Sequence, residues 1–123
     1  MIQTKSYLAS AVAYIEKNYQ NPEISLATIS KKLHLNPSYF SRTFHNMTGS
    51  TFLKYLTLFR IRKASDLMAH SDLPINEIAN SVGYTDALYF SSVFKRYRLM
   101  TPSEYRRRNK AVKGASEPEK ENP

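Results

Sequence analysis

A chain of 123 residues holds one domain or two very small ones sharing a core, and excludes a large multi-domain enzyme. Lys and Arg number 18 against 10 Asp and Glu, for a formal charge of +8; without residues 113–123, which carry Glu117, Glu119 and Glu121, the balance is 16 to 7, or +9. A body this basic seeks a polyanion, meaning nucleic acid, an anionic membrane surface or an acidic protein. Cysteine is absent, which excludes disulfides, thiolate zinc sites and a cysteine nucleophile. Only three glycines occur, which argues against a turn-rich all-β fold. No apolar run approaches the roughly 20 residues that span a bilayer, and the N-terminus lacks a signal-peptide core, so the expected setting is the cytoplasm, away from the membrane.

Helical periodicity runs through almost the whole chain and predicts an all-α fold of seven helices. Leu8, Val12, Ile15 and Tyr19 share one face of the first, which Asn21-Pro22 ends, because the residue before proline is pushed out of the helical region. Ser25 caps a short second helix with Leu26, Ile29 and Leu33 inward. Asn36-Pro37 starts a third, with Phe40, Phe44 and Met47 on one side and Gly49 as its stop. Ser50 or Thr51 opens a fourth that runs to Met68, about 27 Å at 1.5 Å per residue. Pro74 begins the fifth, with Ile75, Ile78, Ala79 and Val82 inward. Asp86 caps the sixth, with Phe90, Phe94 and Tyr97 inward, and Thr101-Pro102-Ser103-Glu104 is a capping box for the seventh.

The chain repeats itself. Tyr39-Phe40-Ser41 followed by Phe44 returns as Tyr89-Phe90-Ser91 followed by Phe94, and Asn36 pairs with Asp86 and Tyr55 with Tyr105. With one residue inserted in the second turn, Leu26, Ile29 and Leu33 match Ile75, Ile78 and Val82. Each copy is a short helix, a tight turn and a longer helix, the layout of a helix-turn-helix. Ser30 and Ala79 take the small-residue position where the two helices of each copy cross. Opposite the aromatic face, the second helix of the first copy presents Ser38, Ser41, Arg42 and His45; that of the second copy presents Ala87, Leu88, Ser91, Ser92 and Lys95. The expected organisation is an N-terminal helix and first helix-turn-helix over 1–50, a linker helix over 51–70, a second helix-turn-helix and closing helix over 71–108, and a disordered tail over 109–123.

The run from Ile75 to Lys95 (INEIANSVGYTDALYFSSVFK), followed by Thr101-Pro102-Ser103-Glu104-Tyr105-Arg106, resembles the signature of AraC/XylS-type transcriptional regulators. The resemblance extends from about Ile2 to Arg108 and takes in Arg60-Ile61 with Ala64, and Gly49. It implies two helix-turn-helix units entering successive major grooves of promoter DNA. It places Ser38, Ser41 and Arg42 of the first unit, and Ala87, Leu88, Ser91 and Ser92 of the second, at base-reading positions. Leu99 stands where the family usually has glycine, and Ser92 where a long polar or basic side chain is common. Many members carry a signal-receiving or dimerisation domain ahead of this region, a further partner the resemblance implies.

Arg42 is the strongest reading candidate, because a guanidinium donates two hydrogen bonds to guanine O6 and N7. Ser38 and Ser41 suit a base or a phosphate equally. Leu88 and Ala87 either meet a thymine methyl group or only buttress their helix. His45, Asn46, Lys95, Arg96 and Arg98 suit the phosphate backbone; Arg106, within the triplet Arg106-Arg107-Arg108, reaches phosphates or simply ends the chain in solvent. Arg60 ties the two units together or belongs with Arg62 and Lys63 to a solvated face. The phenylalanines are core by their spacing. His34, His45 and His70 lack metal-ligand spacing, and no phosphate loop or nucleophile-base set occurs, so neither metal, cofactor nor enzymatic activity is expected. The expected function is sequence-specific binding of double-stranded promoter DNA. The alternative makes the second unit, poor in reading side chains, a surface for RNA polymerase or a partner domain.

Overall fold

Local chemistry at the helix ends sets the architecture. The computed structural model describes residues 2–110, with side chains from Tyr7 onward. It shows α1 (Ile2–Asn18), α2 (Leu26–Lys32), α3 (Pro37–Thr48), α4 (Phe52–His70), α5 (Ile75–Ser81), α6 (Ala87–Arg98) and α7 (Pro102–Asn109), with no strand among the described residues. The Ser25 hydroxyl accepts from Thr28 N–H, and Thr28 Oγ1 in turn accepts from Ser25 N–H. Asn36 Oδ1 accepts from the N–H groups of Ser38 and Tyr39, and Asp86 Oδ1 does the same for Leu88 and Tyr89. These groups satisfy amide donors that the first helical turn leaves without partners.

Three boundaries differ from expectation. Helix α4 runs to His70 rather than Met68, Pro74 precedes α5 as its cap residue, and α7 extends to Asn109. The expected tail otherwise falls on residues 111–123, outside those described. Met47 is 42% exposed rather than inward, because it lies in the last turn of α3, where the chain is already leaving the core for Gly49.

The residues up to Arg60 form one compact unit and those from Ile61 a second, so α4 contributes its first half to one and its second half to the other. In unit 1, Ala11 and Ile15 of α1, Ile29 of α2, Phe40 and Phe44 of α3, and Phe52, Leu56 and Phe59 of α4 are buried together. In unit 2 the buried set includes Ala64, Met68, Ile78, Val82, Phe90, Val93 and Phe94.

The repeat extends to ring geometry. The Phe40–Phe44 and Phe90–Phe94 centroids are both 5.7 Å apart. Phe44 meets Tyr55 edge-on at 5.4 Å and 87°, and Phe94 meets Tyr105 at 5.4 Å and 80°. Such T-shaped pairs set the positive edge of one ring against the negative face of the other.

The turns inside the two helix-turn-helix motifs also correspond. Leu35 N–H donates to Ser30 O at 2.9 Å and Tyr84 N–H to Ala79 O at 2.9 Å. The left-handed residue before each is His34 (φ 59) or Gly83 (φ 102); Thr85 is the extra residue of the second turn. Ser30 and Ala79 are both fully packed, as a helix crossing demands, but the Ser30 hydroxyl has no hydrogen-bond partner. At the far ends, Gly49 (φ 77) stops α3 and Leu99 (φ 61) stops α6, each N–H bonding the carbonyl four residues back at 2.8 Å. Leucine in place of glycine therefore leaves the stop intact, at the steric cost of a left-handed L-residue.

Candidate nucleic-acid interface

Helices α3 and α6 each bury an aromatic stripe and turn a second face outward. In α3 the positions 38, 41, 42 and 45 recur at three- and four-residue steps and so share one face. Ser38, Arg42, His45 and Asn46 are exposed there and Ser41 is half-buried. In α6 the equivalent positions are 88, 91, 92 and 95: Leu88, Ser92 and Lys95 are exposed, as is Arg96, while Ser91 and Ala87 are half-buried. Ser38 and Arg42 of α3 and Leu88 and Ser92 of α6 thus lie on the face away from their unit's core, whereas Ser41 and Ser91 flank it half-buried and Ala87, seven residues before the buried Phe94, leans towards the core. Leu88 does not buttress its helix, for it is 83% exposed.

Three arginines make hydrogen bonds inside the protein that their charge does not foretell. Arg98 donates from Nε to Ser65 Oγ at 2.9 Å, and Ser65 is buried and itself donates to Ile61 O. The Arg98 side chain therefore belongs to the packing of unit 2. Arg106 donates from Nε to Met68 O at 3.3 Å and from Nη2 to Ser71 O at 3.1 Å, closing the C-terminal end of α4. Arg60 is 8% exposed and donates to Tyr19 O and Asn21 O, both at 2.8 Å. These bonds hold the chain leaving α1 within unit 1. In both units a guanidinium from a later helix donates to backbone carbonyls at or just beyond the end of an earlier one, where the helix dipole also favours a cation.

Charge is distributed unevenly. From Leu26 to Thr48 there are three basic residues and no acid; from Ile75 to Arg98 there are three basic and two acidic. Lys31 and Lys32, exposed at the end of α2, line a shallow concavity with Thr28 and His34. Adjacent lysines in the last turn of the helix preceding α3 were the signal for these two, which composition alone does not single out. The Glu104 carboxylate is held below the usual glutamate range by hydrogen bonds from the Thr101 backbone and side chain, then by the charges of Arg107 and Lys95. Among the described residues no helix is long and apolar enough to cross a membrane, and no group of three or more His, Asp or Glu could hold a metal ion.

Residues 29–108 match the family model described as a helix-turn-helix domain. The chain is 36% identical over 104 residues to the uncharacterized transcriptional regulatory protein YesN of Bacillus subtilis (strain 168), an overlap of 82% of this chain and 28% of that protein. It spans about a third of the length of most curated relatives it matches. Among solved structures, the C-terminal domain of AraT, a response regulator from Geobacillus stearothermophilus, superposes with a TM-score of 0.86 at 32% identity, covering 90% of this chain and 92% of that one. The DNA-binding domain of the global transcriptional factor AdpA, solved in complex with a target DNA, superposes at 0.78 with 26% identity, covering 82% and 90%.

Proposed function

Because the chain belongs to the AraC/XylS family and is an AraC-type helix-turn-helix DNA-binding regulator, we infer that α3 and α6 bind two successive major grooves of double-stranded promoter DNA, with Arg42 as the principal base reader. The observation that carries this is the exposed Arg42 on the outward face of a helix whose opposite face is fixed by Phe40 and Phe44. A guanidinium so placed is free to make the paired hydrogen bonds that distinguish guanine, a contact worth about 1–3 kcal/mol of discrimination. Ser38 and Ser41 add shorter contacts to base or backbone. His45, Asn46, Lys95 and Arg96 meet phosphates, and Lys31 and Lys32 join them in unit 1; such contacts raise affinity without reading sequence. Two half-sites about 10–10.5 bp apart follow if the two units occupy adjacent grooves. A cytoplasmic setting fits this partner.

The test is selection from a random duplex pool at near-physiological salt, with wild type and Arg42→Ala in parallel. A two-part motif that loses one part in the variant is the expected result. Salt-sensitive binding without enrichment of any sequence would reduce the protein to a general polyanion binder. A second reading, favoured by the exposure of Leu88, assigns α6 to RNA polymerase or another protein. It expects Leu88→Asp to abolish activation while DNA affinity stays intact.

A further inference from the structure

Resting on the DNA-binding reading above, we propose that the second unit selects its half-site through thymine methyl groups, with Leu88 as the reading side chain and Ala87 beside it. From Ala87 to Phe94 the helix contains no Arg, Lys, Asn, Gln, Asp or Glu. These first two turns therefore have no side chain able to make the paired hydrogen bonds that distinguish guanine or adenine. What the outward face of these turns holds instead is one long apolar group. Leu88 is 83% exposed, and its backbone N–H is fixed by Asp86 at 2.9 Å, which anchors the first turn that carries it.

One turn further along the same face stand only Ser91 and Ser92, whose short side chains let the helix approach the groove floor closely. The thymine C5-methyl is the apolar feature of the major-groove edge pattern. Beyond the serines, the exposed Lys95 and Arg96 border this face with positive charge. That rim complements phosphates flanking a groove better than it complements an apolar protein surface. The position equivalent to Leu88 in unit 1 is Ser38, and that equivalent to Ser92 is Arg42. The composite target is accordingly a guanine-containing half-site joined to a thymine-containing one.

The experiment uses the full chain and the duplex enriched by selection. Each thymine of the second half-site is replaced in turn by deoxyuridine, which keeps base pairing and removes only the methyl group. Binding of wild type and Leu88→Ala is followed by fluorescence anisotropy at fixed salt. Wild type is expected to bind about fourfold more weakly at one or two positions, the factor that accompanies loss of one methyl group's burial. Leu88→Ala should bind the thymine duplex about fourfold more weakly and no longer distinguish thymine from deoxyuridine.

Equal responses of the two proteins would place the effect in the stiffness of the DNA and overturn the proposal, as would no response in wild type. A Leu88→Ala protein with unchanged affinity and unchanged methyl response, but without activation, would overturn it in favour of protein docking. Failure to enrich any sequence would instead bring down the DNA-reading function itself, an outcome distinct from a well-defined motif that is indifferent to methyl groups.

Discussion

Residues 36–49 and 86–99 are the same helix built twice with different outward faces. The caps Asn36 and Asp86, the ring pairs Phe40–Phe44 and Phe90–Phe94, and the left-handed stops at 49 and 99 coincide. Outward, Ser38 becomes Leu88, Arg42 becomes Ser92 and His45 becomes Lys95. Packing constrains the inner face, because a buried ring has few volume-conserving replacements. The outer face answers only to what it binds. The difference teaches that a duplicated scaffold keeps its core chemistry while its two outward surfaces separate.

The largest expected difference between the units concerns their arginine clamps. Arg60 is almost fully buried and makes two bonds of 2.8 Å, whereas Arg106 is half-buried and its bonds are 3.1 and 3.3 Å. Arg60→Met should cost about 3 kcal/mol in a denaturant titration and Arg106→Met about 1 kcal/mol, given roughly 1.5–3 kcal/mol for a good hydrogen bond to a charged group. Equal losses would break the contrast.

Next comes the helix crossing, where Ser30 and Ala79 can be exchanged. Ser30→Ala removes a buried hydroxyl that has no partner and should stabilise by about 1 kcal/mol, while Ala79→Ser should destabilise by about 1–3 kcal/mol. Opposite signs in thermal melts would sharpen the comparison; a destabilising Ser30→Ala would show that the hydroxyl is partnered in solution.

A smaller effect is expected at Leu99. Relief of about 1–2 kcal/mol of left-handed strain is partly offset by about 0.5–1 kcal/mol of added freedom in the unfolded chain. Leu99→Gly should therefore stabilise by about 0.5–1 kcal/mol, read as a shift of the urea midpoint.

The smallest effect is pH-dependent. In unit 2, Glu104 accepts from Thr101 N–H, whereas Lys54 holds the corresponding place behind Thr51 in unit 1. A carboxylate whose folded pKa is depressed contributes stability that is present above its unfolded pKa and is lost as pH falls through the folded value. Glu104→Gln should accordingly flatten the acid limb of the stability profile slightly, and Lys54→Gln should leave that limb unchanged.

Much of this organisation is legible in the sequence because its determinants are local. Ser25, Asn36, Asp86 and Thr101 announce helices through bonds to amides two or three residues away, and the 50-residue repeat singles out both outward faces. The arginine clamps are not legible in this way. Arg60 reaches carbonyls 39 and 41 residues back, and Arg106 reaches 35 and 38. A backbone carbonyl has no residue type by which sequence could flag it. Arg98 likewise carries the same charge as Arg96, and only the path of the helix surface separates the residue bonded to Ser65 from its exposed neighbour. Leu99 offers no local sign of a left-handed turn; the cues are its alignment with Gly49 and the glycine usual at this place in the family it resembles.

A methyl group built on Gly49 would meet nothing within 4 Å, yet the residue holds φ at 77. The demand at this stop is therefore one of chirality and not of room. A D-alanine introduced there by peptide ligation would prefer that backbone shape for the same steric reason that an L-residue avoids it. It would also narrow the unfolded ensemble that glycine leaves wide. At Leu99 the mirror relation is reversed, and an L-residue is held against its own handedness. The two stops thus load opposite sides of the folding equilibrium: one loosens the unfolded chain, and the other strains the native one.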